Sequence, residues 1–238
     1  MARKHEQVEQ DFQDAINYLR GRGQLPAVFG NDWRACLKHT HRLCYSLMWW
    51  RFQIRSSQPY QRVFLNEIAA DMVQILPQSM LGFDKTVYSL LRSTIENAIR
   101  HIYFFHHPIE YERLLSDADW YLPIRDHFAY LKDHPTFCSI ESMYDGVSRA
   151  KSLYAELSRV QHGFSLSSLG LRPSLAEIRP SPGQSKEHLK YLMRTAESCN
   201  YLLAVFHRDV FSKLPAGDQR LITDTFSKTA RRVLKGIV

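Results

Sequence analysis

An all-α fold is what this 238-residue sequence predicts. Apolar residues recur at three- and four-residue intervals almost throughout, and no stretch of strict alternation argues for a sheet. Ten Gly and ten Pro punctuate the chain without a low-complexity block, so a packed core rather than disorder is expected.

The elements follow from that periodicity and its breaks. A first helix is expected over about residues 5 to 22, stopping at the Gly21, Gly23 and Pro26 punctuation. Asn31 or Asp32 can cap a second helix reaching about Arg55, because either side chain accepts from the first free amides. Pro59 opens a third, which ends near Pro77 and Gly82. Asp84 starts the most distinctive helix, and Pro108 bounds it. Shorter helices are expected at about 109–117 and 123–133. Ser139 can cap another long helix that Gly163 stops, and Ser185 opens one to about Lys213. A final helix follows Pro215. Residues 163 to 184 form the one long loop, a functional flap or a tether. The expected organisation is an N-terminal helix and linker over 1–29, a helical core over 30–165, a loop over 166–184, and C-terminal helices over 185–238 packing on the core.

Composition narrows the function classes. Lys and Arg number 31 against 24 Asp and Glu, and the resulting +7 favours a polyanionic partner such as nucleic acid. The N-terminus lacks the apolar stretch of a secretory signal, and no run of about 18 apolar residues is present to span a membrane. Cys36, Cys44, Cys138 and Cys199 are too few for a disulfide framework and read as buried thiols in a reducing cytoplasm.

Two segments carry chemistry. On a helix, Arg92, Glu96, Arg100, Tyr103 and His107 fall within about 80° of one another, beside an apolar arc of Ile95, Ala98, Ile99, Ile102 and Phe105. The stripe is either a solvated face of i,i+4 ion pairs or the lining of a polar cleft. Further on, Tyr154, Ser158 and His162 recur at intervals of four. His162 sits in a last helical turn, where a cationic imidazole faces the negative helix end whatever its function.

Leu90-Leu91-Arg92-Ser93-Thr94-Ile95-Glu96, followed by Ile102-Tyr103-Phe104, resembles the Leu-Arg-x-x-x-Glu helix of HEPN-type proteins. Tyr154 to Gly163 is similar to the Tyr-x-x-Leu-Ser-x-x-x-His-Gly element that follows it in defence-associated branches of that superfamily. The likeness spans roughly residues 30 to 165. It implies a HEPN-like helical bundle with additional N- and C-terminal helices. It also implies a metal-independent ribonuclease, commonly a homodimer with two copies of an Arg-plus-His motif facing one cleft.

Such an enzyme serves as toxin or effector in anti-phage defence or a toxin–antitoxin system. RNA is then the substrate, an antitoxin or defence-complex protein the partner, and no metal or other cofactor is needed. Two segments approximate the Arg–His motif. Arg100 precedes His106 and His107, and Arg159 precedes His162 by a shorter gap than the family's.

The implied roles follow from the reaction. An imidazole, His162, His107 or His106, takes or gives a proton at the ribose 2′-hydroxyl or the leaving oxygen. Arg100 or Arg92 stabilises charge on the phosphorane, and Glu96 orients it. Tyr154, Ser158, Arg159 and Tyr103 contact the substrate. The alternatives from other classes are a catalytically inactive helical adaptor that binds nucleic acid in a defence complex, and a helical partner of a nucleotidyltransferase.

Other motifs point elsewhere. Cys36, His39, His41 and Cys44 suggest a metal cluster, but on a helix the two imidazoles point about 160° apart and the sulfurs are separated by about 12 Å of rise. Trp49-Trp50-Arg51-Phe52-Gln53-Ile54-Arg55 mixes aromatics and cations as nucleic-acid surfaces do, although aromatics at these spacings are more often core with Arg stems covering it. Lys228, Arg231, Arg232 and Lys235 make the last helix basic. No glycine-rich phosphate loop or nucleophile elbow is present.

Overall fold

The computed structural model describes residues 2–22, 30–162 and 181–237, and every regular element among them is helical. In chain order these are α1 (Ala2–Gly21), α2 (Asn31–Met48), α3 (Trp50–Gln53), a 3-10 turn (Pro59–Gln61), α4 (Val63–Leu81) and α5 (Asp84–Phe105). There follow α6 (Pro108–Ser116), α7 (Ile124–Asp133), α8 (Pro135–Cys138), α9 (Gly146–His162), α10 (Pro182–Phe206), α11 (Arg208–Phe211), α12 (Ala216–Thr223) and α13 (Lys228–Ile237).

Helix α5 runs through the middle, packed against α4, α7, α9 and α10. Val87, Leu91, Ile95, Ala98 and Ile102, spaced by three and four, are fully buried. Helix α10 packs on α2, α5 and α9, and from Ser198 to Val205 every residue is buried. A helix buried all round belongs to the middle of a core rather than to its outside. The C-terminal helices accordingly share one apolar cluster with α2, α4, α5 and α9. Each aliphatic side chain buried there contributes about 1.5–3 kcal/mol. A second cluster docks α1, through Phe12, Ile16 and Leu19, on Trp33 and Leu37 of α2 and Leu76 and Met80 of α4. None of the described helices is long and apolar enough to cross a membrane.

Several boundaries differ from the sequence expectation, each for a local reason. Gly30, not Asn31 or Asp32, occupies the cap of α2, and no side chain bonds there. Pro77 lies inside α4, which ends instead at Gly82, whose φ of 80° supplies the left-handed stop. Ser139 opens no helix. The carboxylate of Glu141 accepts from the amides of Val147 and Ser148 and starts α9 at Gly146. A Cβ at Gly146 would lie 2.6 Å from the Tyr201 ring, so only glycine fits this start. Ser181, four residues before the expected Ser185, caps α10, accepting from the Gln184 amide, and Ser185 is buried, accepting from Trp33 Nε1 at 3.0 Å. The expected helices around 185–213 and from 215 onward are each broken once, at His207 and at 224–227. Most of the expected 163–184 loop and the linker around 23–29 lie outside the described residues.

Candidate active site at the α5–α9 contact

The stripe on α5 meets α9 as two polar faces separated by no apolar layer. Arg92 bridges them. Its Nε donates to Ser158 Oγ at 3.0 Å, Nη2 to the Tyr154 hydroxyl at 2.6 Å and Nη1 to Gln161 Oε1 at 3.4 Å, and its guanidinium lies 4.9 Å from the Tyr154 ring centre. All three nitrogens are therefore spent on α9. The Tyr154 hydroxyl in turn donates to Glu96 Oε2 at 3.4 Å, and Gln161 donates to Ser89. Burial, then the charge of Glu96, pushes the Tyr154 phenol up and keeps it a donor.

Two turns along from Arg92, Arg100 has a different environment. Its Nη2 lies 2.6 Å from Glu96 Oε1, which fixes the guanidinium, while Nε and Nη1 bond to no described residue. The side chain is 31% exposed, enough for an incoming anion to reach it.

Beyond Arg100 the α5 end is crowded with rings. Tyr103 stacks on His107 with centroids 4.1 Å apart and 3° between planes, and meets His127 of α7 edge-on at 4.7 Å. His107 Nδ1 lies 2.7 Å from the Tyr103 carbonyl. A carbonyl only accepts, so Nδ1 carries the proton and Nε2 of the neutral ring keeps its lone pair. His127 repeats the arrangement, with Nδ1 3.1 Å from the Pro123 carbonyl and a buried Nε2 that has no hydrogen-bond partner. Burial lowers the His127 pKa, opposed by that same carbonyl bond, and the charges of Arg100 and Glu96 also reach it.

The structure thus brings together Arg92, Glu96, Tyr154 and Ser158, with Arg100, Tyr103 and His107 continuing the same stripe. His106 lies apart: α5 ends at Phe105, and the exposed His106 ring turns to His134 and Phe206. Burial depresses its pKa, as does the charge of His107. Arg159 is exposed on α9, and no bond joins it to a described stripe residue. His162 ends α9, and its side chain lies outside the described residues. His127 was missed by sequence reasoning. Its only signal was a position beside Phe128 on the inner face of a short amphipathic helix, which a core histidine would also occupy.

Two further histidine arrangements are structural. His101 and His207 lie Nε2 to Nε2 at 2.7 Å in the core, and burial pushes both pKa values down, His207 to about 3, so one ring donates and the other accepts. Ser79, His188 and Asp84 form a chain with steps of 2.9 and 3.1 Å, but Ser79 is 1% exposed and no substrate reaches it. Of the suspected metal residues, Cys36 and Cys44 are buried and His41 Nε2 lies 2.7 Å from Asp11; Cys199 is buried too, but Cys138, expected inside, is exposed. No group of three or more described His, Cys, Asp or Glu residues is arranged to hold a metal.

No protein-family model, curated protein or solved structure matches the chain.

Proposed function

We propose that the chain is a HEPN-like toxin or effector that cleaves RNA at the α5 stripe, without a metal, in anti-phage defence or a toxin–antitoxin pair. The observation that carries this reading is a tethered imidazole just past the end of α5 beside a stripe whose last guanidinium is engaged, among the described residues, by Glu96 alone. The Tyr103 carbonyl holds His107 in the tautomer of a base, and Glu96 holds Arg100 with Nε and Nη1 bonded to no described residue.

In the proposed reaction His107 Nε2 takes the ribose 2′-hydroxyl proton. The oxygen attacks the adjacent phosphorus, the P–O5′ bond breaks, and the leaving oxygen receives a proton from a second imidazole, assigned to His162. Arg100 stabilises the phosphorane oxygens. The products are a 2′,3′-cyclic phosphate and a 5′-hydroxyl. Arg92, with every nitrogen occupied, braces α9 rather than binding phosphate, and Tyr154 and Ser158 complete that brace. The active form is a homodimer in the cytoplasm, its two stripes facing one cleft, held in check by a partner protein.

A second reading, an RNA-binding adaptor without catalysis, is favoured by the direct Arg100–Glu96 pair, which neutralises the proposed clamp. One experiment decides between them. The purified protein is incubated with RNA, with the same strand carrying 2′-deoxy residues, and with EDTA present. Cleavage of the RNA alone, leaving cyclic phosphate ends and lost in His107→Ala or His162→Ala, supports the enzyme. Binding with an intact strand supports the adaptor.

A further inference from the structure

The corner between α3 and the 3-10 turn collects charge that no described acid pairs with. Arg51, Arg55 and Arg62 line one open cavity of about 420 Å³ together with Phe52, Ser56 and Ser57, and no carboxylate lines it. Several surface arginines are answered by acids, Arg42 by Asp224, Arg149 by Asp145 and Arg194 by Glu156, whereas this corner gathers three around one cavity. None of the three corner arginines forms an ion pair with a described residue. Three like charges around one small volume repel one another, and an anion seated among them removes that cost.

The cavity also carries an aromatic face. Phe52 is 50% exposed although its neighbours Trp50 and Ile54 are buried, and the Arg51 guanidinium lies 4.6 Å from its ring centre. The loop behind it is fixed. Trp50 Nε1 donates to Asn200 at 2.8 Å, and Ser56 Oγ accepts from the Gln58 amide while itself bonding Gln61. A site held this way loses little conformational entropy on binding. Its size is at the small end of ligand cavities, which run about 300–1,000 Å³.

We infer that this corner is a single-stranded RNA subsite, in which Arg51, Arg55 and Arg62 hold consecutive phosphates and a base stacks on Phe52. Guanidinium groups with an exposed ring among them match a strand that alternates charged phosphates with flat bases, and match an acidic peptide less well. The corner also lies toward the proposed reacting groups. Tyr60, in the 3-10 turn, packs in one cluster with Tyr103, the ring stacked on His107. The inference takes its ligand class from the RNA reading above but not from the catalytic roles assigned there.

The test is fluorescence anisotropy with a labelled single-stranded 2′-O-methyl RNA, which offers no attacking hydroxyl, so binding is measured whether or not the protein cleaves. The triple variant R51Q/R55Q/R62Q is expected to bind at least tenfold more weakly. Its slope of log affinity against log salt is expected to be shallower by about 2, three phosphates at ~0.7 each. F52A is expected to lose about tenfold with the salt slope unchanged. The control K228Q/R232Q/K235Q on α13 removes the same charge and is expected to bind within a factor of about 2 of the unaltered chain. Equal losses in the two triple variants would show net charge alone and overturn the subsite, as would a triple variant that keeps its affinity and slope, or an unaltered chain that does not bind the strand. Loss of binding in the corner variant, with no cleavage of ordinary RNA by the unaltered chain, keeps the subsite and removes the nuclease.

Discussion

Arg92 and Arg100 stand two turns apart on one helix, share Glu96, and are of similar exposure, yet they are built for different work. Around Arg92 every guanidinium nitrogen bonds to Tyr154, Ser158 or Gln161 across the α5–α9 contact. Around Arg100 one nitrogen is engaged by the described residues, and the groups beyond it, His107 and His127, keep their Nε2 atoms unbonded to any of them. Where donors are saturated by the protein, a cation stabilises the fold. Where they are half-used and held in place, it is ready for a ligand.

The sharpest way to break this comparison is to remove each arginine in turn. Arg100→Ala is expected to lower RNA cleavage about 10³-fold, the size of a lost charge-stabilising donor, with the melting temperature unchanged. Arg92→Ala is expected to cost about 2 kcal/mol, because Glu96, Tyr154 and Ser158 lose their common partner at a partly exposed site. Thermal melting should then fall by about 5 °C.

A pH series separates the same two regions. His101, His207 and His127 sit in or beside the ring cluster at the end of α5, and burial lowers all three pKa values from 6.5. The unfolded chain binds protons near 6.5 while the fold resists them, so stability is complete above that pH. It is lost as the pH falls from there toward the folded values, about 3 for His207. Melting at pH 5 is expected about 5 °C below melting at pH 7.5, and His207→Leu should flatten that dependence. A flat profile in the unaltered protein would mean that these rings are hydrated. The smallest effect is reserved for the rim of the brace: Tyr154→Phe removes the bonds to Arg92 and Glu96 and should cost about 1 kcal/mol, read by urea denaturation.

Helical period put Arg92 with Glu96 on one face of α5 and Tyr154 with Ser158 on one face of α9, while the expectation that the two segments share a site came from the HEPN resemblance. Arg92, Glu96, Tyr154 and Ser158 were named on those grounds, and they touch. What each arginine does was not legible, since saturation depends on which donors the facing helix offers. His107 was chosen for its angle from Arg100, but α5 stops at Phe105, and the ring is placed by its bond to the Tyr103 carbonyl instead. His127 escaped notice because a lone histidine on an inner face has no pattern until a second helix packs against it. The misplaced starts at Ser139 and Ser185 share one cause: Glu141 and Ser181, acting from outside the periodic stretch, supply the bonds that begin α9 and α10.

Single-turnover cleavage of one RNA by Arg100→Ala and Arg92→Ala, each well below its own melting temperature, tests this division of labour most directly. The account predicts that Arg92→Ala cuts within about tenfold of the unaltered rate while Arg100→Ala is silent. A folded Arg92→Ala that is silent, beside an Arg100→Ala that still cuts, would contradict it.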